Sequence, residues 1–206
     1  GSSLVVTGFD ATSANGAAVT VSPTGTFTYD PTGAAALQAL AVGQSILDTF
    51  TYTVTDVFGV MTSETVTITV DGVNDAPVVA GETRNSTGGT TTDNVLGNDS
   101  DADASDTLTV SNFDTAGNGG AVPVPGPLVF TSAQGAIVSI SSDGSFTYDP
   151  STSTAILALA PGATLVDAFS YDVFDGTVAV AGSITVTSVG IGVPTNDYAA
   201  TDVATL

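Results

Sequence analysis

Thr26-Phe27-Thr28-Tyr29-Asp30-Pro31 returns 119 residues later, counted from Phe27 to Phe146, as Ser145-Phe146-Thr147-Tyr148-Asp149-Pro150. In both stretches aromatic residues alternate with hydroxyl residues, the period of two that sends successive side chains to opposite faces of a β-strand. Asp-Pro then ends the run, because proline has no N–H to give to a strand ladder. Outward from this pair the same spacing carries Leu40-Ala41-Val42-Gly43 onto Leu159-Ala160-Pro161-Gly162, and Asp48-Thr49-Phe50-Thr51-Tyr52 onto Asp167-Ala168-Phe169-Ser170-Tyr171. Asp56 likewise falls on Asp175. Upstream, Leu4 to Asp10 matches Leu108 to Asp114 at a shorter spacing of 104. The difference is an insertion in the second copy at about residues 117–135, rich in Gly and Pro and expected to be a surface loop.

Period-two alternation continues through Phe50/Tyr52/Val54 and Val66/Ile68/Val70, and through Phe169/Tyr171/Val173 and Ile184/Val186. Thr fills the opposite face, where its β-branch fits the pleat. The pattern predicts core packing for Phe27, Tyr29, Phe50 and Tyr52. Ala34 to Leu40 is the one helix-like stretch, long enough for a turn or two. The expected fold is all-β, with two β-sandwich domains in tandem. Residues 1–75 form the first and 76–195 the second. The first is incomplete at its N-terminal side, since residues 78–107 have no counterpart before Leu4. Asn196-Asp197-Tyr198 restarts the pattern of Asn74-Asp75-Ala76, so 196–206 reads as the start of a further repeat or an exchanged tail strand.

Composition removes whole classes of function. The 206 residues include no His, Cys, Lys or Trp, and Arg84 is the only basic side chain against 21 acidic ones. Ser-His-Asp and Cys-His nucleophiles, Cys/His zinc sites, lysine Schiff bases and disulfides are all ruled out. A net charge of −20 repels nucleic acid and anionic membranes, and no apolar run is long enough to span a bilayer. The carboxylates must be solvated or neutralised by bound cations, which directs attention to divalent metal.

Two clusters suit a hard cation. In Asn98-Asp99-Ser100-Asp101-Ala102-Asp103-Ala104-Ser105-Asp106, alternating carboxylates crowd one side of a curled loop, as calcium requires for its six to eight oxygen ligands. It is not an EF-hand, since the sixth residue from Asp99 is Ala104 and the twelfth is Val110. An Asx-rich turn is the alternative, although Asp99, Asp101, Asp103 and Asp106 would repel one another there. The second cluster, Asp71-Gly72-Val73-Asn74-Asp75-Ala76-Pro77, lies where the copies join and offers oxygen ligands for an ion, or else a simple Asx linker. The recurring Asp30/Asp149, Asp48/Asp167 and Asp56/Asp175 are expected to serve turn chemistry.

The joint segment resembles the inter-domain calcium motif of cadherin-like repeats. Gly25-Thr26-Phe27-Thr28-Tyr29, Asp48 to Asp56, and Asn94-Val95-Leu96-Gly97-Asn98-Asp99-Ser100-Asp101-Ala102-Asp103 resemble bacterial VCBS and cadherin-like tandem repeats. The resemblance covers nearly the whole chain apart from the insertion. It implies two Ig/cadherin-like β-sandwich domains in a large secreted adhesin, biofilm-matrix protein or other bacterial surface protein, with Ca2+ stiffening the array. By match it assigns Asp71, Asn74, Asp75, Asp101 and Asp103 as ligands, to which the loop adds Asp99 and Asp106. The sequence departs from that pattern at Val193-Pro194-Thr195-Asn196-Asp197-Tyr198, which lacks the upstream Asp and the Ala-Pro, and in the first copy, which has no loop like 98–106.

The function expected is therefore a non-catalytic extracellular structural or adhesive module. Its partners would be neighbouring repeats or copies of itself, including head-to-tail β-strand addition into a filament, and surface polysaccharide. A carbohydrate-binding sandwich is the alternative; it needs an exposed aromatic strip. A two-carboxylate glycosidase is a third reading, but no pair of acids is singled out by a pocket-forming pattern.

Overall fold

The computed structural model describes residues 4–115 and 120–191. The tail 196–206 and the departure at 193–198 lie outside the described residues. Two compact units form. Among the described residues, one comprises residues 4–78 with the loop 99–108 and the turn 174–180, and the other comprises 79–98, 109–115, 120–173 and 181–191.

In the first unit, β1 (Val5–Phe9), β4 (Ser45–Thr55) and β5 (Met61–Asp71) make a three-stranded sheet in the order β1-β4-β5. Strands β2 (Ala18–Val21) and β3 (Phe27–Asp30) make a separate two-stranded sheet. The long β4–β5 hairpin runs in register from Ser45↔Asp71 to Thr55↔Met61. Asp56 closes its turn, accepting from Phe58 N at 2.8 Å and Val60 N at 2.9 Å. The helical stretch forms as a single turn, α1 (Ala35–Gln38), whose Leu37 packs with Ala17 and Ala34 against Tyr29, Leu40, Ile46 and Val70.

The second unit is a fuller sandwich. One sheet orders β10 (Leu128–Thr131), β11 (Ile137–Ile140), β12 (Ser145–Asp149) and β7 (Thr91–Asn94). The other orders β6 (Glu82–Ser86), β14 (Ala179–Val189), β13 (Thr164–Phe174), β8 (Thr109–Asp114) and β9 (Ala121–Pro123), with β6 parallel to β14. A second short helix, α2 (Thr154–Leu157), is capped by Ser153, whose side chain accepts from Ile156 N. Phe113 sits at the centre of the core, its ring centroid 5.6 Å from Phe130 and Phe169 and 6.4 Å from Phe146 and Tyr171. The insertion expected as a loop instead supplies β9 and β10 among its described residues. Leu128-Val129-Phe130 is a short apolar run, and packing the half-buried Phe130 against Phe113 and Phe169 outweighs the neighbouring Gly and Pro.

Phe50 is buried as expected, but Phe27 is 43% exposed, whereas its copy Phe146 is 1% exposed. The alternation is identical; what differs is the strand that covers it.

Asp48 and Asp167 are not turn residues. Each lies in the middle of a long strand and is buried, 0% and 3% exposed. Asp48 accepts from Tyr29 OH at 2.6 Å, from Ser13 Oγ, and from the backbone of Asn15 at 2.9 Å and Thr49 at 2.8 Å. Asp167 accepts from Tyr148 OH and Ser132 Oγ, both at 2.7 Å, and from Gln134 N at 3.2 Å. Ser13 Oγ and Ser132 Oγ in turn accept from Ala17 N and Ala136 N. Each copy is thus pinned across its two sheets by a carboxylate held by neutral donors. Burial pushes the Asp48 carboxyl up, but the bonds from Ser13, Tyr29, Asn15 and Thr49 outweigh it and bring the pKa down to about 2. The same burial, with Asp48 beside it, pushes Tyr29 up to about 12.

Replacing Asp48 or Asp167 by Ala removes the acceptor shared by a tyrosine and a serine hydroxyl and should cost about 3 kcal/mol in denaturant unfolding. A group whose pKa is depressed by folding stabilises above its unfolded pKa and loses that contribution as pH falls through the folded one. Compared with Asp48→Asn, the native chain should therefore shed extra stability between about pH 4 and about pH 2. A constant difference between the two across that window would refute the pin.

Candidate metal centre

The chain leaves β5 through Gly72. A Cβ there would lie 2.2 Å from the carbonyl oxygens of both Leu40 and Ala41, so the exit is open only to glycine. Beyond it, Pro77 is buried, and Val78 and Ser100 exchange backbone hydrogen bonds, Val78 N to Ser100 O at 2.8 Å and Ser100 N to Val78 O at 3.1 Å. That antiparallel bridge lays residues 74–78 along the acidic loop, all within the first unit.

The polar contacts there share one arrangement. Asp75 N donates to Asp103 Oδ2 at 2.8 Å, and Asp103 N donates to Asp101 Oδ1 at 2.9 Å. Each carboxylate spends one oxygen on a backbone N–H. The second oxygens, Asp101 Oδ2 and Asp103 Oδ1, are shielded from solvent and have no hydrogen-bond donor. Asp103 as a whole is 2% exposed. A buried carboxylate oxygen without a donor is costly unless a cation faces it. The chain's sole guanidinium does not, because Arg84 Nε lies 2.6 Å from Asp93 Oδ2.

Of the residues expected as ligands, Asp75, Asp103 and Asp101 are linked in series by backbone N–H groups, and the Asn74 amide donates instead to Asp75 O and Asp175. Asp99 is half-buried at the start of the loop, and Asp106 follows it, its N–H donating to Asp103 O at 3.1 Å. Asp71 ends β5 exposed on the other side of Gly72 and makes no hydrogen bond to the loop. Asp175 joins the group unforeseen. Its Oδ2 accepts from Asn74 Nδ2 at 3.0 Å, while its Oδ1 accepts from Thr177 N and Val178 N at 2.6 and 2.7 Å. Burial pushes the Asp175 carboxyl up, but the Val178, Asn74 and Thr177 donors outweigh it and hold the group below the usual carboxylate range. Its turn role repeats that of Asp56; its reach to Asn74 does not, and no repeat spacing marks it. Among the described residues, no three acidic side chains converge as a ready-made metal cage. What the loop offers is two carboxylates, each with one oxygen to spare, the donor chemistry of a hard cation.

The bacterial cadherin-like domain matches residues 74–190, more than half of the chain, and a bacterial Ig domain matches residues 1–69. The chain belongs to the bacterial cadherin-like family. Its sandwiches are the Ig/cadherin-like fold that the repeated aromatic strands led us to expect. No curated protein sequence matches this cadherin-like chain. Among solved structures it is similar to a protocadherin gammaB7 EC3-6 cis-dimer, at 13% identity and a TM-score of 0.42, covering 92% of this chain and 40% of that one. It is also similar to an endo-fucoidan hydrolase of glycoside hydrolase family 107, at 15% identity and a TM-score of 0.30, covering 92% and 23%. Cadherin-like and Ig domains are typically non-enzymatic and extracellular.

The spare oxygens make a sharp prediction in chelator. Asp103→Asn keeps an acceptor for Asp75 N while removing a charge, and Asp101→Asn does the same for Asp103 N. With EDTA present, either change should leave unfolding stability within about 0.5 kcal/mol of the native chain, or raise it. A loss above about 1 kcal/mol would mean that the protein itself already satisfies those oxygens.

Proposed function

We propose that this cadherin-like chain is a structural and adhesive segment of a bacterial surface or matrix protein, stiffened by Ca2+ held at residues 74–75 and 99–106. The observation that carries the reading is the pair of shielded, donor-free oxygens on Asp101 and Asp103. A bound ion would draw on these two first, with Asp99, Asp106, Asp75 and the Asn74 side chain as the remaining candidates and Asp71 the outlying one. It would lock the exit from the β4–β5 hairpin to a loop some 25 residues further along the chain, from Asn74 to Asp99. The chain's contribution is to hold oxygens and exclude competing donors; the ion supplies the positive charge that the sequence lacks.

One surface feature supports a role in contact. The tip of the β4–β5 hairpin exposes Val57, Phe58, Val60 and Met61, with Phe58 84% exposed, a surface suited to contact. The carbohydrate-binding alternative is less well supported. Phe27 packs edge-on to Phe50 at 5.3 Å inside a groove, which is not the flat aromatic strip that sugar stacking needs.

Ca2+ that binds only the folded state stabilises by mass action, about 2.7 kcal/mol at a hundredfold excess over Kd. Melting in 10 mM CaCl2 should therefore rise by roughly 5 °C or more over EDTA. Sodium chloride at matched ionic strength should reproduce little of that rise, and the Asp101→Asn/Asp103→Asn double variant should lose most of it. Superimposable melts in calcium and EDTA would end the calcium reading.

A further inference from the structure

Asp48 holds a side-chain amide that its copy lacks. Both buried carboxylates accept from a tyrosine, from a serine and from a backbone N–H of the turn that faces them, Asn15 N for Asp48 and Gln134 N for Asp167. Asn15 adds its carboxamide, Nδ2 donating to Asp48 Oδ1 at 3.0 Å and to Leu47 O at 3.4 Å. Gln134 stands 119 residues after Asn15, in the same turn, and gives Asp167 only its backbone N–H.

Glycine follows in both copies, Gly16 at φ +97° and Gly135 at φ +87°, a conformation that side chains rarely adopt. Asn-Gly is the dipeptide most open to loss of ammonia, because no side chain shields the glycine nitrogen from the neighbouring carboxamide. Glutamine in that place has to close a larger ring and reacts far more slowly. In the first unit the reactive pair is held shut. Gly16 N donates to Ser13 O at 3.1 Å, which keeps its proton engaged, and the Asn15 carboxamide nitrogen is engaged by Asp48 and Leu47. Asn15 is half-buried and Gly16 exposed, so water reaches the pair once those bonds open.

We propose that Asn15-Gly16 is a modification site guarded by Asp48, and that its deamidation irreversibly releases the first unit's pin. When the turn opens, the deprotonated Gly16 nitrogen attacks Asn15 Cγ and a new C–N bond forms. The carboxamide C–N bond breaks, and its nitrogen takes up the proton that Gly16 gave to water and leaves as ammonia. Water then opens the cyclic imide at either carbonyl, giving aspartate or isoaspartate. Aspartate replaces a donor to Asp48 Oδ1 by a second carboxylate, and two like charges that close repel. Isoaspartate also adds a backbone carbon to the turn that sets Asn15 N on Asp48 and Ala17 N on Ser13 Oγ. The second unit, with Gln134 in that place, keeps its pin. None of these residues is a candidate metal ligand, so the release does not depend on calcium.

Peptide mapping by mass spectrometry at mildly alkaline pH follows the reaction. Asn15 in the full chain should convert at least tenfold more slowly than in a synthetic peptide of residues 11–20, Ala-Thr-Ser-Ala-Asn-Gly-Ala-Ala-Val-Thr, because it waits for local opening. In Asp48→Asn it should approach the peptide's rate. Equal rates in chain and peptide overturn the guard, as does an Asp48→Asn chain that circular dichroism shows folded and that reacts as slowly as the native one. Asn15→Asp needs no reaction and leaves Asp48 in place; it should lower the melting midpoint by roughly 5 °C at neutral pH, whereas Gln134→Glu should leave it within about 1 °C. Unchanged melting of Asn15→Asp, or an equal loss in both variants, overturns the release.

Discussion

A carboxylate that leaves water needs a partner, and this chain has 21 acidic residues and one arginine. The structure therefore depends on neutral donors. Tyrosine and serine hydroxyls and backbone N–H groups hold Asp48 and Asp167 in the cores, and backbone N–H groups hold Asp30, Asp56, Asp149 and Asp175 in turns. Hydrogen bonds to an ionised acceptor are stronger than neutral ones, so a donor-rich fold can bury such charges without bases. The arrangement stops at Asp101 and Asp103, where each carboxylate has one oxygen too many for the donors available. The case for a cation comes from that local deficit, not from the acidity of the chain.

The same hydrophobic pattern produces two different degrees of closure. The second unit closes because β6, β7 and Val95 cover the aromatic strands, leaving Phe146, Tyr148 and Tyr171 at 2% exposure or less. The first unit carries the corresponding Phe27, Tyr29 and Tyr52 on a thinner scaffold pinned mainly by Asp48. That scaffold leaves Phe27 43% exposed where its copy Phe146 is 1% exposed.

The strands, the tandem sandwiches and the single helical turn at α1 were legible because period-two alternation and the 119-residue repeat are properties of neighbouring residues. The acidic loop 98–106 and the joint 71–77 stood out as two oxygen-rich segments, and the contact of Asp75 N with Asp103 links them. Three features were not. Phe27 alternates as Phe146 does, and no local pattern says whether a covering strand is present. Asp48 and Asp167 looked like turn residues because recurrence alone cannot separate a turn from a core; the signal that could have done so is the constant 19-residue spacing from Tyr29 to Asp48 and from Tyr148 to Asp167, with each Asp inside an apolar strand. Asp175 reaches Asn74 across 101 residues of sequence, a tertiary contact that no spacing rule announces.

The central claim is that a cation completes the coordination left open by the acidic loop. Anomalous scattering from crystals grown with calcium measures this directly. The account predicts a calcium peak within coordination distance, about 2.3–2.6 Å, of both Asp101 Oδ2 and Asp103 Oδ1. A well-ordered loop with no peak there, or with donors from the protein found on both oxygens, would contradict it.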